Sequence, residues 1–93
     1  MEAKRLALLL LDSGAIWLSG HALAEMAKDR LIEADAVNTI RHGVAHQAMM
    51  QADGTYSYKL TRRDVAVALS FRFGGTTPVT LVVRTAWRMR RKP

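Results

Sequence analysis

Hydrophobic and polar positions change their period once along this chain, near Gly43. Before it, Leu6, Leu9 and Leu10 fall at i, i+3 and i+4, which predicts a helix over about Glu2 to Asp12 with one stripe facing a core. Gly14 then offers a permissive exit. Ala15 to Ser19, with Ile16, Trp17 and Leu18, suits a short extended segment, and Ser19 is placed to cap the helix that follows. That second helix is expected from about Gly20 to Arg30, with Leu23, Met26 and Ala27 inward and Glu25, Lys28, Asp29 and Arg30 outward. A third, from about Ala34 to His42, is expected to turn Val37, Ile40 and Val44 inward, with Asp35 in its first turn and Gly43 as its stop.

After Gly43 the period is two. Val44 to Met50 reads as a first strand, Ala52-Asp53-Gly54 as a turn, and Thr55 to Arg62 alternates Tyr56, Tyr58 and Leu60 with Ser57, Lys59 and Thr61. Arg63 and Asp64 make a tight turn into Val65, Val67, Leu69, Phe71 and Phe73. Gly74 to Thr77 form the next loop, and Pro78 introduces Val79, Leu81, Val83, Thr85 and Trp87. If Arg62 opposes Val65, Tyr58 pairs with Leu69; if Phe73 opposes Val79, Leu69 pairs with Val83. One sheet face is then apolar, and the other carries Ser57, Lys59, Ser70, Arg72 and Arg84, with small Ala66, Ala68 and Ala86 between them. The expected class is α+β: N-terminal helices packed on a four-stranded antiparallel sheet, in a single domain over 1–93 with 88–93 as a basic tail.

Charge narrows the choice of partner. Fourteen Lys and Arg against eight Asp and Glu leave +6, and the pI is near 10.5, which favours a polyanion. Arg84, Arg88, Arg90, Arg91 and Lys92 close the chain without an intervening acid. There is no Cys, hence no disulfide and no thiolate ligand, and the cytoplasm is the expected compartment. The apolar run from Leu6 to Leu11 ends at Asp12, too short for a signal segment or a membrane span, so no membrane association is expected.

His21-Ala22, Met26, Arg30, Asp35, Val37, Ile40 and Gly43 follow the spacing HA, three residues, M, three residues, R, then D-x-V-x-x-x-I-x-x-G. Over about Ile16 to Trp87 the chain resembles a family of small bacterial and phage proteins of unknown function that carry this pattern ahead of a curled antiparallel sheet. It is more distantly similar to the MqsR, BrnT and RelE groups of toxin messenger-RNA endonucleases. The resemblance implies helices on a sheet, RNA or the ribosome as partner, and an acidic antitoxin. Many relatives carry a basic residue just before the Met, where this chain has Glu25.

Metal-independent cleavage through the 2′-hydroxyl needs a base, a cation to hold the developing charge and an acid for the leaving oxygen. His21 opens the second helix and is suited to proton transfer, although a ring bonded to nearby backbone is its ordinary alternative. His42 ends the third helix and is the other candidate for moving protons, although helix capping is its simpler role. His42-x-x-x-His46 crosses a helix end with no further ligand placed by the sequence, so neither metal nor cofactor is expected. Lys59, Arg72 and Arg84, projecting from neighbouring strands on one face, would hold the scissile phosphate. Tyr58 is expected in the core, and Trp87 is expected to continue the stripe of Val79, Leu81 and Val83 rather than stack a base. Arg88, Arg90 and Arg91 would extend the nucleic-acid contact. The sequence thus points to a toxin-like RNA-binding protein with metal-independent endonuclease chemistry. Its rival is a non-catalytic phage or plasmid module that grips a host protein or nucleic acid.

Overall fold

The structure, a computed structural model, describes residues 2–52 and 55–89. In chain order the elements are α1 (Glu2–Asp12), β1 (Ile16–Leu18), α2 (Gly20–Lys28), α3 (Glu33–His42), β2 (Val44–Ala45), β3 (Met49–Met50), β4 (Tyr56–Arg62), β5 (Val65–Gly74) and β6 (Thr77–Arg88). The strands form one six-stranded sheet in the order β1-β6-β5-β4-β2, with β3 also paired to β4. All pairings are antiparallel except β1 with β6, which is parallel. The α+β class is as expected, but the sheet exceeds the four strands read from the sequence. The Ile16–Leu18 segment joins it as an edge, and the expected first strand is broken into β2 and β3. The expected turn residues Asp53 and Gly54, and the tail residues Arg90 and Arg91, lie outside the described residues.

The first two helices end by one device. After α1, Gly14 N–H donates to Leu11 O (3.1 Å) and Ala15 N–H to Leu10 O (2.8 Å); after α2, Arg30 N–H donates to Ala27 O (3.3 Å) and Leu31 N–H to Met26 O (2.8 Å). These are Schellman caps, which need a left-handed residue one place beyond the cap. Gly14 supplies φ +78° at no steric cost, whereas Arg30 supplies φ +56° as a residue with a Cβ. Buried Met26 and Leu31 complete the α2 cap as its apolar contact. At the start of α3, Ile32 N–H donates to Asp35 Oδ2 at 2.8 Å. Gly43 ends α3 for a different reason: its φ is −77°, but a Cβ there would collide with the Thr39 carbonyl oxygen and lie 2.9 Å from that of Thr61.

The core lies between the helices and one sheet face, and holds Ala7, Leu11, Ala22, Met26, Leu31, Ala36, Ile40, Leu60, Val67, Leu69, Leu81 and Val83. Several expected inward positions are corrected. On α1, Ala7 and Leu11 are buried and Leu9 is 62% exposed, because an uninterrupted Leu run does not fix the phase of the helix. On α2, Leu23 is exposed, and so is Ala27; Ala22 takes the inward place. On α3, Ala36 and Thr39 join Ile40 while Val44 is exposed on the far sheet face, paired with Thr61. Arg41 pairs with Asp12 at 2.8 Å and Lys4 Nζ donates to Gly43 O at 2.5 Å, fastening α1 to the end of α3.

The expected register of β4 on β5 holds, with Tyr58 opposite Leu69 and Arg62 opposite Val65. Between β5 and β6, Leu69 does oppose Val83, but Phe73 opposes Pro78 rather than Val79. The ladder slips twice, leaving Val79 and Arg84 as extra residues on β6. A slip of one residue exchanges the faces of everything beyond it. Ala86 therefore turns into the core instead of lying on the open face, and Thr85 and Trp87 turn out. The hairpin closes through Gly75-Thr76, with Gly75 at φ +65° as a type II′ turn requires.

Relief of the left-handed strain in Arg30→Gly is expected to add about 0.5–1 kcal/mol of stability, after allowing for the greater freedom of glycine in the unfolded chain. A thermal melt should then rise by about 2–8 °C. Gly43→Ala is expected to lower stability by about 1–3 kcal/mol, because both carbonyls it meets belong to packed backbone.

Candidate nucleic-acid interface

The sheet face turned away from the core is built by alternation. Ile16 and Leu18 pair with buried Leu81 and Val83, so Trp17, paired with Val82, must point to the open side. On the same side stand Ser57 and Lys59 of β4, Ala66, Ala68, Ser70 and Arg72 of β5, and Thr85 and Trp87 of β6. Both tryptophans of the chain are therefore on this face. The expected place of Trp87 in the core stripe is overturned by the extra residue at Arg84.

Each tryptophan carries a cation from another strand. Lys59 Nζ lies 5.6 Å from the Trp87 ring centre, and the Arg72 guanidinium carbon lies 5.5 Å from that of Trp17. The small floor permits this. The Lys59 side chain crosses β5 where only Ala66 and Ala68 stand, and Ala66 is fully covered although it is on the open side.

Between the two pairs is a hollow of about 570 Å³. Its floor is Ala68, Ser70, Val82 and Thr85; Trp17, Ser19, His21 and Arg84 line it on the side of β1 and α2, and Gln51 and Ser57 also reach it. A second hollow of about 710 Å³ shares Thr85 and continues past Trp87 to Glu25, Lys28 and Asp29 of α2. The two line up along β6.

Ser19 is the joint that places α2 against this floor. Its amide donates to Val83 O (3.1 Å), its hydroxyl donates to Arg84 O (2.9 Å), and the same oxygen accepts from Ala22 N–H (3.0 Å) as the N-cap of α2. One side chain thus fixes the bulged carbonyl and the helix start together. His21, exposed in the first turn of α2, consequently lines the same hollow as Arg84.

Of the residues singled out by sequence, His21 and Arg84 share the hollow, and Lys59 and Arg72 flank it on the same face. His42 is apart from them, exposed in the last turn of α3 within the helical layer. His46 sits at the β2 edge, with Nε2 2.8 Å from Thr61 Oγ1. Arg88 belongs to the helical side: Nη1 donates to Asp64 Oδ2 at 2.8 Å, Nε to Asp29 O at 3.4 Å, and the backbone N–H to Asp29 Oδ2 at 2.7 Å. The Asp64 hydrogen bond, aided by the charges of Asp64, Asp35 and Asp29, holds the Arg88 guanidinium above its ordinary pKa. Its charge is directed to holding the end of β6 between α2 and the β4–β5 turn. Trp17, Ser19 and Gln51 were not picked out by sequence as site residues. Trp17 was legible in principle, since strict alternation through Ile16-Trp17-Leu18 puts the middle residue opposite its neighbours.

The strands contain Lys59, Arg62, Arg72, Arg84 and Arg88 and no acid at all. Among the described residues, Lys59, Arg72 and Arg84 have no carboxylate partner, while Arg88, Arg41 and Lys28 are each paired with one. The described residues include no group of three or more His, Asp or Glu able to hold a metal, and no helix long and apolar enough to cross a membrane. No protein-family model, no curated protein and no solved structure matches this chain.

Ser19→Ala removes both hydroxyl bonds and is expected to lower stability by about 1–2 kcal/mol in a denaturant or thermal melt, with Ser19→Thr recovering most of the loss.

Proposed function

We propose that this chain is a toxin-like RNA-binding protein, that the open sheet face is its RNA surface, and that the hollow between Trp17 and Thr85 carries metal-independent cleavage of messenger RNA. The observation that supports this reading is the segregation of charge. The open face holds Lys59, Arg72 and Arg84 without a carboxylate partner among the described residues, over a floor of small side chains where a phosphate can approach the sheet. Cations gathered over a concave, partly desolvated surface attract a polyanion more strongly than the same charges scattered over a convex one.

In this reading Arg84 binds the scissile phosphate beside the N-terminus of α2, whose free amides favour an anion. His21 accepts the proton of the 2′-hydroxyl as that oxygen attacks phosphorus. The bond from phosphorus to the 5′-oxygen breaks, the leaving oxygen takes a proton from water, and the products are a 2′,3′-cyclic phosphate and a 5′-hydroxyl. The arginine holds the charge of the pentacovalent transition state. An acidic antitoxin would compete for the same cations.

One observation favours a non-catalytic binding module instead. His21 is the only imidazole in the hollow, and neither His42 nor His46 lines it, so one proton-transfer group stands where the reaction uses two.

Purified protein mixed with RNA separates these readings. Binding is expected to weaken steeply with salt, and Arg84→Gln should reduce the slope of log K against log salt by about 0.7, the value for one phosphate contact on a single strand. Arg88→Gln, whose charge serves Asp64, should leave the slope unchanged. Cleavage should yield cyclic-phosphate ends, and His21→Ala should slow it about 10²–10⁴-fold with binding retained. RNA that is bound and left intact, with and without ribosomes, assigns the surface to a binding module. Glu25→Lys, which replaces an acid lining the second hollow, should tighten binding and steepen the slope.

A further inference from the structure

The two ring–cation pairs stand at opposite ends of one trough. Trp17 pairs with Val82 and Trp87 lies five positions further along β6, one of them the bulged Arg84, which at about 3.3 Å per residue separates the two backbone positions by roughly 15 Å. Between them run the shared Thr85 and the bulged Arg84. Trp17 is half exposed and Trp87 half-buried, and each presents a face covered by a mobile-chain cation rather than by core.

We propose that this trough takes a single-stranded segment of RNA, with one base stacked on Trp17, another on Trp87, and the intervening backbone over Arg84; the proposal rests on the RNA reading of the same face. Each base takes the ring face that Arg72 or Lys59 covers in the free protein, and the displaced cation moves to the adjacent phosphate. The exchange keeps both partners of each pair satisfied. The ring trades a cation for a base, and the cation trades a ring for an anion. Duplex RNA cannot do this, because its bases are already stacked on one another and its edges are recessed in the grooves. With a rise of about 3.4 Å per nucleotide along a stacked strand and more along an extended one, reaching both rings takes about three to five nucleotides. A mononucleotide can occupy only one.

The test titrates the intact protein with a single-stranded oligouridine of about ten nucleotides, a hairpin duplex and uridine monophosphate, reading intrinsic tryptophan fluorescence and affinity. The oligouridine should quench both rings, which Trp17→Phe and Trp87→Phe report one at a time. Trp17→Ala and Trp87→Ala should each weaken binding about 5–100-fold, while the Phe variants keep most of the affinity. Lys59→Gln and Arg72→Gln should each lower the salt slope by about 0.7. Should Trp87→Ala fail to fold, quenching of Trp87 in the Trp17→Phe protein decides its role. RNA that binds without quenching either ring, or a duplex that binds as tightly as the oligouridine, overturns the stacking inference and leaves the RNA surface standing. Absence of binding by every RNA at low salt overturns both.

Discussion

The contact on which this architecture turns is the Ser19 hydroxyl, which donates to the Arg84 carbonyl and accepts from the Ala22 amide. Arg84 is one of the two residues, with Val79, by which β6 outruns β5. An extra residue leaves a backbone carbonyl off the ladder, and such a group needs a partner when it is partly buried. Ser19 supplies that partner while also satisfying an amide of the first turn of α2, so the irregularity in the sheet and the start of the helix stabilise each other. Everything beyond the bulge takes its orientation from it: Ala86 inward against the core, Thr85 and Trp87 outward over Ala66 and Ala68.

Charge follows the same division. The acids of the described chain lie on the helices, at their ends or in a turn, where Asp35 holds the start of α3, Asp12 ties Arg41, and Asp29 and Asp64 hold Arg88. Each thereby uses up a positive charge on the helical side or a free amide. Among the described residues, the strands that build the open face carry cations and no acids, and the mutual repulsion of those cations is eased by water and by the electron-rich faces of Trp17 and Trp87. On the proposed reading, an anion reaching Lys59, Arg72 or Arg84 would have no ion pair to break first.

The pattern from His21 to Gly43 reads differently once its residues have neighbours. Ala22 and Met26 are core contacts of α2, Arg30 is the left-handed residue of its Schellman cap, Asp35 caps α3, Ile40 is buried, and Gly43 lets α3 run into β2 without a steric clash. His21 alone among them is exposed with no such role, and it lines the hollow. A pattern made almost wholly of caps and contacts specifies a scaffold, which explains why it speaks to fold more than to activity.

Local rules determined much of this protein. The bounds of α1, the cap at Ser19, the stop at Gly43, the pairing of Tyr58 with Leu69 and the common face of Lys59 and Arg72 all follow from periodicity, capping chemistry and short turns, which act over a few residues. Other features depend on partners distant in sequence. Whether Leu9 or Leu11 faced inward was decided by packing on α3 and β6, since a run of leucines is apolar in every phase. The parallel addition of β1 joins residues some 65 positions apart, and no local signal encodes it. The side taken by Trp87 was set by a single unpaired residue: strict alternation sends it to the core, and only the slip of β6 against β5 turns it towards the open face. Alternation says which residues share a side only while the ladder is regular, and regularity is a property of two strands together.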